Sequence, residues 1–238
     1  MSAFVLTNCT AWADAVPLTT YSNEMSLKQS VEDKDVTTFG SSGWKSRIGG
    51  LKTVEADMKG FWDLAVDPAA LTGLGVADQV YTFTGTGVET DPAWFFQAAN
   101  FSLERFGSVG DVDPFSLNIM GTNNMGLITG QLAKARGAVA AAGALGSGLL
   151  LGAPTATQYV YAALHVFTAG TTITVAVQSD DNAGFTTPTT RGTIGPVTTT
   201  GGVWMARVAG PFVGETYWRL NVTAITGSFN VGASIGIA

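Results

Sequence analysis

The sequence predicts a mainly β protein: a sandwich or barrel flanked by one helix, followed by a second, antiparallel β-sandwich. Thirty glycines among many threonines and valines favour strands joined by tight turns, and helical heptads of leucine and alanine are confined to one short region. Strict alternation supplies the second observation, since Val54, Ala56, Met58, Gly60 and Trp62 fall on one side of an extended chain and Thr53, Glu55, Asp57, Lys59 and Phe61 on the other. The third is bulk composition: 238 residues, 46% hydrophobic and 13% charged, bury one large core or two modest ones and exclude wholesale disorder.

Taken in order, strands are expected over residues 4–12, 24–31, 53–62, 79–84, 93–105 and 115–120. A helix interrupts them at residues 67–74, where Asp67 offers an N-cap carboxylate, Pro68 sits at the first helical position, and Gly73 or Gly75 ends the turn. Residues 126–153 are small, apolar and low in complexity, with Lys134 and Arg136 near the start. They read as a linker or extended arm; the uncharged run 137–153 is at the short limit for a membrane helix and is interrupted by glycine. Residues 154–238 alternate cleanly again, with Ile173, Val175 and Val177 on one face of a strand, Trp218, Leu220 and Val222 on another, and Phe229, Val231, Ala233, Ile235 and Ile237 on a third. The expected domains are therefore 1–125, a linker or arm at 126–153, and an added β-sandwich at 154–238.

The net charge of −6 is regional: residues 1–113 hold 15 acidic and 7 basic side chains, residues 114–238 hold 3 and 5. Clustered Lys and Arg, the usual means of gripping nucleic-acid phosphates, are missing, so nucleic acid is not expected to be held. A single cysteine, Cys9, forbids an intrachain disulfide or a Cys/His zinc framework and suits a reducing cytoplasm. The first twelve residues do not read as a secretory signal.

Catalytic chemistry finds little support. The only histidine, His165, shares a strand face with Tyr159, Tyr161, Ala163 and Phe167, and no GxSxG elbow, HExxH or Cys/His pair accompanies it, so a structural role outweighs a catalytic one. Glu32, Asp33 and Asp35, and Asp111 with Asp113, match no calcium-loop spacing, while Asp180-Asp181-Asn182 reads as a turn. Gly143, Gly146 and Gly148 form no phosphate-binding signature and read as flexibility. Trp204, Tyr217 and Trp218 could stack on a sugar, but the alternation places Trp218 among apolar neighbours, which favours core packing. No enzyme, cofactor or metal is expected.

The run Val31-Glu32-Asp33-Lys34-Asp35-Val36-Thr37-Thr38-Phe39-Gly40, followed by Gly43-Trp44, Arg47 and Gly50-Leu51-Lys52, resembles the major tail proteins, or tail tube proteins, of long-tailed, non-contractile bacteriophages. Phe61-Trp62-Asp63, the helix at 67–74, and Phe101-Ser102-Leu103 leading to Gly110-Asp111-Val112 continue the ordered series across residues 4–125. The resemblance implies a tail-tube β-sandwich that joins others in a ring, usually of six subunits, with rings stacked into a hollow tube that conducts DNA. It also implies a virion location after assembly in the host cytoplasm, tape-measure and tail-end proteins as partners, and no membrane insertion. A pseudo-sixfold trimer is the other arrangement kept open, although the second half holds no counterpart of the D-V-T-x-F-G loop.

Within that frame the polar loop Asp35, Val36, Thr37, Phe39, Gly40, Trp44 and Arg47 is expected to be mobile in the free subunit and to order against the adjacent ring, with Phe39 and Trp44 as anchors. Glu55, Asp57 and Lys59 are candidates for the face lining the bore, where negative charge would let DNA slide without sticking; the competing reading is an ordinary solvated face with the carboxylates paired to Lys59. The alternative function is a virion-surface or glycan-binding module acting through the C-terminal sandwich.

Overall fold

The computed structural model describes residues 9–62 and 73–238, so most of the helix expected at 67–74 and the start of the strand expected at 4–12 lie outside the described residues. The strands are β1 (Thr10–Ala13), β2 (Val16–Pro17), β3 (Ser22–Asp35), β4 (Arg47–Phe61), β5 (Gln79–Thr84), β6 (Pro92–Arg105), β7 (Pro114–Gly121) and β8 (Ile128–Val139). They continue with β9 (Gly143–Leu150), β10 (Tyr159–Thr168), β11 (Thr172–Asp180), β12 (Thr189–Val197), β13 (Gly201–Trp204), β14 (Val208–Ala209), β15 (Tyr217–Thr226) and β16 (Phe229–Ile237). The fold is mainly β, as the glycine content and alternation predict, and every inter-strand ladder is antiparallel.

In the first half the order β2-β1-β5-β6-β7-β4-β3 makes a sheet that curls on itself and, among the described residues, does not close. Its interior holds Ala11, Ala13 and Leu18 from one wall, Tyr81, Phe83 and Phe96 from the next, and Val54, Met58, Leu117 and Ile119 from the opposite wall. Curling is how a single antiparallel sheet hides one face from water while the other stays wet. On β4 the expected alternation is realised: Val54, Ala56, Met58 and Gly60 are buried and Lys59 is exposed.

The second half is a sandwich. The order β13-β10-β16-β8 faces a separate four-stranded sheet, β12-β11-β15-β9. Between them pack Ile173, Val175, Val177, Trp218, Leu220, Val222, Phe229, Val231, Ala233 and Ile235, the inward sets predicted from alternation. The Trp218 indole N–H donates to the Gly152 carbonyl at 2.9 Å, satisfying the one polar atom of a fully buried ring.

Residues 126–153 are not a linker or arm. β8 is hydrogen-bonded between β16 and β6, and β9 forms the edge of the four-stranded sheet against β15. Their small side chains serve close approach: a Cβ on Gly130 would come within 2.0 Å of the Ile235 carbonyl oxygen, and one on Gly146 within 1.9 Å of the Ala133 carbonyl oxygen. Through β8 the larger sheet runs without a break from one half of the molecule into the other.

Where the halves meet, β10 is buried on both faces. Val160, Ala162, Leu164 and Val166 point into the sandwich, whereas Tyr161 and Ala163 pack on Val80, Phe95 and Ile128 of the curled sheet. His165 lies fully buried on this second face. Its Nδ1–H donates to the Asp14 carbonyl at 2.8 Å, which leaves Nε2 to accept from the Thr82 hydroxyl at 2.8 Å. Trp12 meets the imidazole edge-on and Phe167 stacks on it. Both cross-strand partners of His165 are glycines, Gly202 and Gly232. A Cβ on Gly202 would fall 2.4 Å from Asp14 Oδ1, and one on Gly232 would fall 2.5 Å from the Trp12 ring.

Burial drives the His165 pKa down to about 4, with the Asp14 hydrogen bond opposing it. The folded protein thus resists a proton that the unfolded chain takes up near pH 6.5, so this group's contribution to stability is lost as pH falls from the unfolded value toward the folded one. The loss amounts to about 3 kcal/mol by linkage. Acid unfolding followed by circular dichroism should show this slope in the wild type and a flatter one in His165→Gln. Asp14, whose carboxyl is pushed up by burial against hydrogen bonds from Val80 and Gly202, acts in the opposite sense and is common to both proteins.

Candidate assembly interface

β3 and β4 run past the body they belong to. From Val31 to Asp35 and from Arg47 to Lys52 every residue is exposed, while the ladder holds its pairing out to Asp35 opposite Arg47. The result is a two-stranded arm with water on both faces. Such a ribbon is marginal alone in water, and here it is rooted in the body by the buried half of β4. Exposed ion pairs decorate it, Lys34 with Glu32 at 2.7 Å and Arg47 with Asp33, and pairs of that kind contribute little to stability.

The tip, residues 36–46, closes on its own hydrogen bonds. Val36 donates to the Ser46 carbonyl at 2.9 Å and Trp44 to the Ser41 carbonyl at 3.0 Å. The Asp35 carboxylate accepts the Thr37 amide at 2.9 Å, and bonds from the Thr37 side chain and backbone hold its carboxyl below the usual range. Thr38 and Ser41 cap a short 3₁₀ turn, Phe39–Ser41. These polar side chains fold the loop locally, so the apolar ones are left over: Phe39 is fully exposed, Trp44 is 81% exposed, and Val36, Ile48 and Leu51 are exposed beside them. The sequence-predicted residues Asp35, Val36, Thr37, Phe39, Gly40, Trp44 and Arg47 thus lie together at the end of one arm.

Glu55, Asp57 and Lys59 occupy the outer face of the same strand nearer its root. Register places Glu24 opposite Lys59, Ser26 opposite Asp57 and Lys28 opposite Glu55, and Asn118 and Ser116 extend the face on β7. The Asn118 amide donates to both carboxylates, at 3.0 Å to Glu55 and 2.9 Å to Asp57. Lys59 reaches Glu24 at 3.0 Å, not the two carboxylates that a simple solvated pairing would give it. With Glu104 opposite Ser116, the face carries four acids, Glu24, Glu55, Asp57 and Glu104, against Lys28 and Lys59.

Two further surfaces escaped sequence reasoning because each is assembled from distant segments. Among the described residues β3 is hydrogen-bonded only to β4, which leaves its other edge without a partner strand there. Beside that edge, where the curled sheet stops short of closure, Met25, Leu27, Phe83, Trp94 and Leu127 line a mainly apolar cleft of about 760 Å³. At the opposite end of β4 from the tip, the β6–β7 turn exposes Phe106, Val109 and Val112.

The other predicted sites resolve as scaffold. Asp180 accepts the Asn182 and Thr187 amides at 3.2 and 3.0 Å, a turn device. Trp204 packs against Phe95 and Tyr161, so of the three aromatics considered for stacking on a sugar, Trp218 is core and Trp204 belongs to the contact between the halves.

No family model matches this chain, and no curated protein matches it. Among solved structures it is similar to a chain of the virion of a native gene transfer agent particle, at 14% identity and TM-score 0.43 over 52% of this chain and 97% of that one. It is also similar to a chain of the tail of an empty gene transfer agent particle of C6 symmetry, at 12% identity and TM-score 0.42 over 53% and 97%. A third is the Dit protein (gp 19.1) of phage SPP1, described as a hub adsorption apparatus, at 13% identity and TM-score 0.37 over 95% and 98%. Likeness at this level assigns neither fold nor function.

Because Phe39 and Trp44 touch solvent instead of the core, Phe39→Ser/Trp44→Ser should leave the unfolding free energy within about 0.5 kcal/mol of wild type. If the tip is a contact between copies of this chain, the same double substitution should weaken their association measured by sedimentation by about 2 kcal/mol or more, the hot-spot range for aromatic anchors.

Proposed function

We propose that this protein is a structural subunit of a bacteriophage tail tube, self-assembling into stacked rings that conduct DNA. The observation that carries the reading is the β3–β4 arm, whose tip bears the D-V-T-x-F-G pattern and presents Phe39 and Trp44 to solvent. An isolated monomer gains nothing from a water-exposed aromatic pair on a marginal ribbon, whereas a neighbouring ring would bury both.

Ring closure answers a second liability. The open edge of β3 and the adjoining apolar cleft are surfaces that a lateral neighbour would cover, and identical subunits in a closed ring leave no such edge free. Six subunits are the first expectation and three the other. Glu55 and Asp57, held side by side by Asn118, then face the bore, where they repel phosphates and offer no cation to release. The second sandwich, which β8 and β9 complete, is carried as an addition to the tube body and is joined to it by the β8–β6 ladder and by His165. Tape-measure and tail-end proteins are the partners at the tube ends, and the location is the virion tail.

Negative-stain microscopy of the concentrated protein should show rings or tubes of one width, and a monomer at every concentration would sink the reading. Glu55→Lys/Asp57→Lys should leave the tube yield within about twofold, as for exposed charges, while lowering DNA delivery by reconstituted particles. Equal loss of both would mean that these carboxylates serve assembly instead.

A further inference from the structure

β4 carries the arm at one end and, about 50 Å away at 3.3 Å per residue, pairs its last residue, Phe61, with Pro114 of β7. The turn between β6 and β7 closes that far end, and it is unusually apolar for a surface loop. Phe106 is 79% exposed, Val109 fully exposed and Val112 64% exposed. Beside it Phe61, Phe106, Pro114, Glu104 and Arg105 line a hollow of about 360 Å³. The floor is held in place: Arg105 pairs with Asp113 at 2.5 Å and stacks 3.7 Å over the Trp62 ring.

Charge distinguishes the two ends. Residues 36–46 at the tip contain one basic side chain, Lys45, and no acid, whereas residues 106–112 contain one acid, Asp111, and no base, with Glu104 exposed on the adjoining strand. A like-with-like contact at either end would oppose equal charges. A head-to-tail contact matches them and brings Phe39 and Trp44 against Phe106, Val109 and Val112. A heterologous contact of this kind, unlike a twofold one, repeats without limit along its axis.

We propose that the β6–β7 turn, with Val109, Val112, Phe106 and Asp111, is the receiving surface for the arm tip of a second copy of this chain, so that stacking runs along β4. The inference rests on the tube reading and adds to it the identity of the acceptor.

The test uses two full-length variants, Trp44→Ser, which keeps the acceptor, and Val109→Ser/Val112→Ser, which keeps the tip. Each should stay folded by circular dichroism and fail to form long assemblies, and mixing them should restore association in sedimentation velocity that neither shows alone. Lys45→Glu and Asp111→Lys should each raise the concentration needed for assembly by about tenfold, and the combined swap should return it toward wild type. Normal tubes from Val109→Ser/Val112→Ser, or a swap no better than the sum of its parts, would overturn the acceptor assignment. Failure of the wild-type chain to assemble at all would instead overturn the tube reading on which it rests.

Discussion

The imidazole of His165 must satisfy two nitrogens across the boundary between two cores, and that requirement fixes how the cores sit. One nitrogen donates to the Asp14 carbonyl and the other accepts from Thr82, so both partners come from the curled sheet while the histidine belongs to the sandwich. A buried imidazole missing either partner would be costly. Gly202 and Gly232, its two cross-strand neighbours, leave room for Asp14 and Trp12, which a Cβ at either position would crowd. The arm of one half and the added sandwich of the other thereby acquire a fixed relation, reinforced by the unbroken run of the sheet through β8.

That rigidity bears on assembly. A tip that must find a neighbour loses less freedom on docking when its root is a buried strand and its turn is already closed by Thr37, Thr38 and Ser41. The turn satisfies its polar groups locally and leaves its aromatics for the partner. Glu89 applies the same economy on the other side of the molecule. It accepts from Lys134, Ala135 and Ser147, and although burial would raise its carboxyl, these bonds hold it below the usual range. The turn before β6 is thus tied to β8 and β9.

Alternation was legible wherever a strand had one wet face. Residues 53–62 and 218–222 disclosed their inward side chains because period-two patterning records a single boundary with water. The pattern fails where side chains are nearly absent. Residues 126–153 look like a linker because they are small and low in complexity and Gly146 reads as flexibility, yet Gly130 and Gly146 are small because a backbone carbonyl of a neighbouring strand lies where a Cβ would be. Close approach between strands distant in sequence leaves no periodic trace.

The sequence by itself determined the β class, the inward faces of the sandwich, and the local chemistry of the tip, since each depends on neighbours within a few residues. It also placed Phe39 and Trp44 beside one another and marked His165 as structural. Tertiary structure alone decided that β3 and β4 outrun the body, that Asn118 joins Glu55 to Asp57, and that the β6–β7 turn stands at the far end of the same strand. These are products of register between segments as many as 63 residues apart, and register is set by how whole sheets pack, which no local pattern encodes.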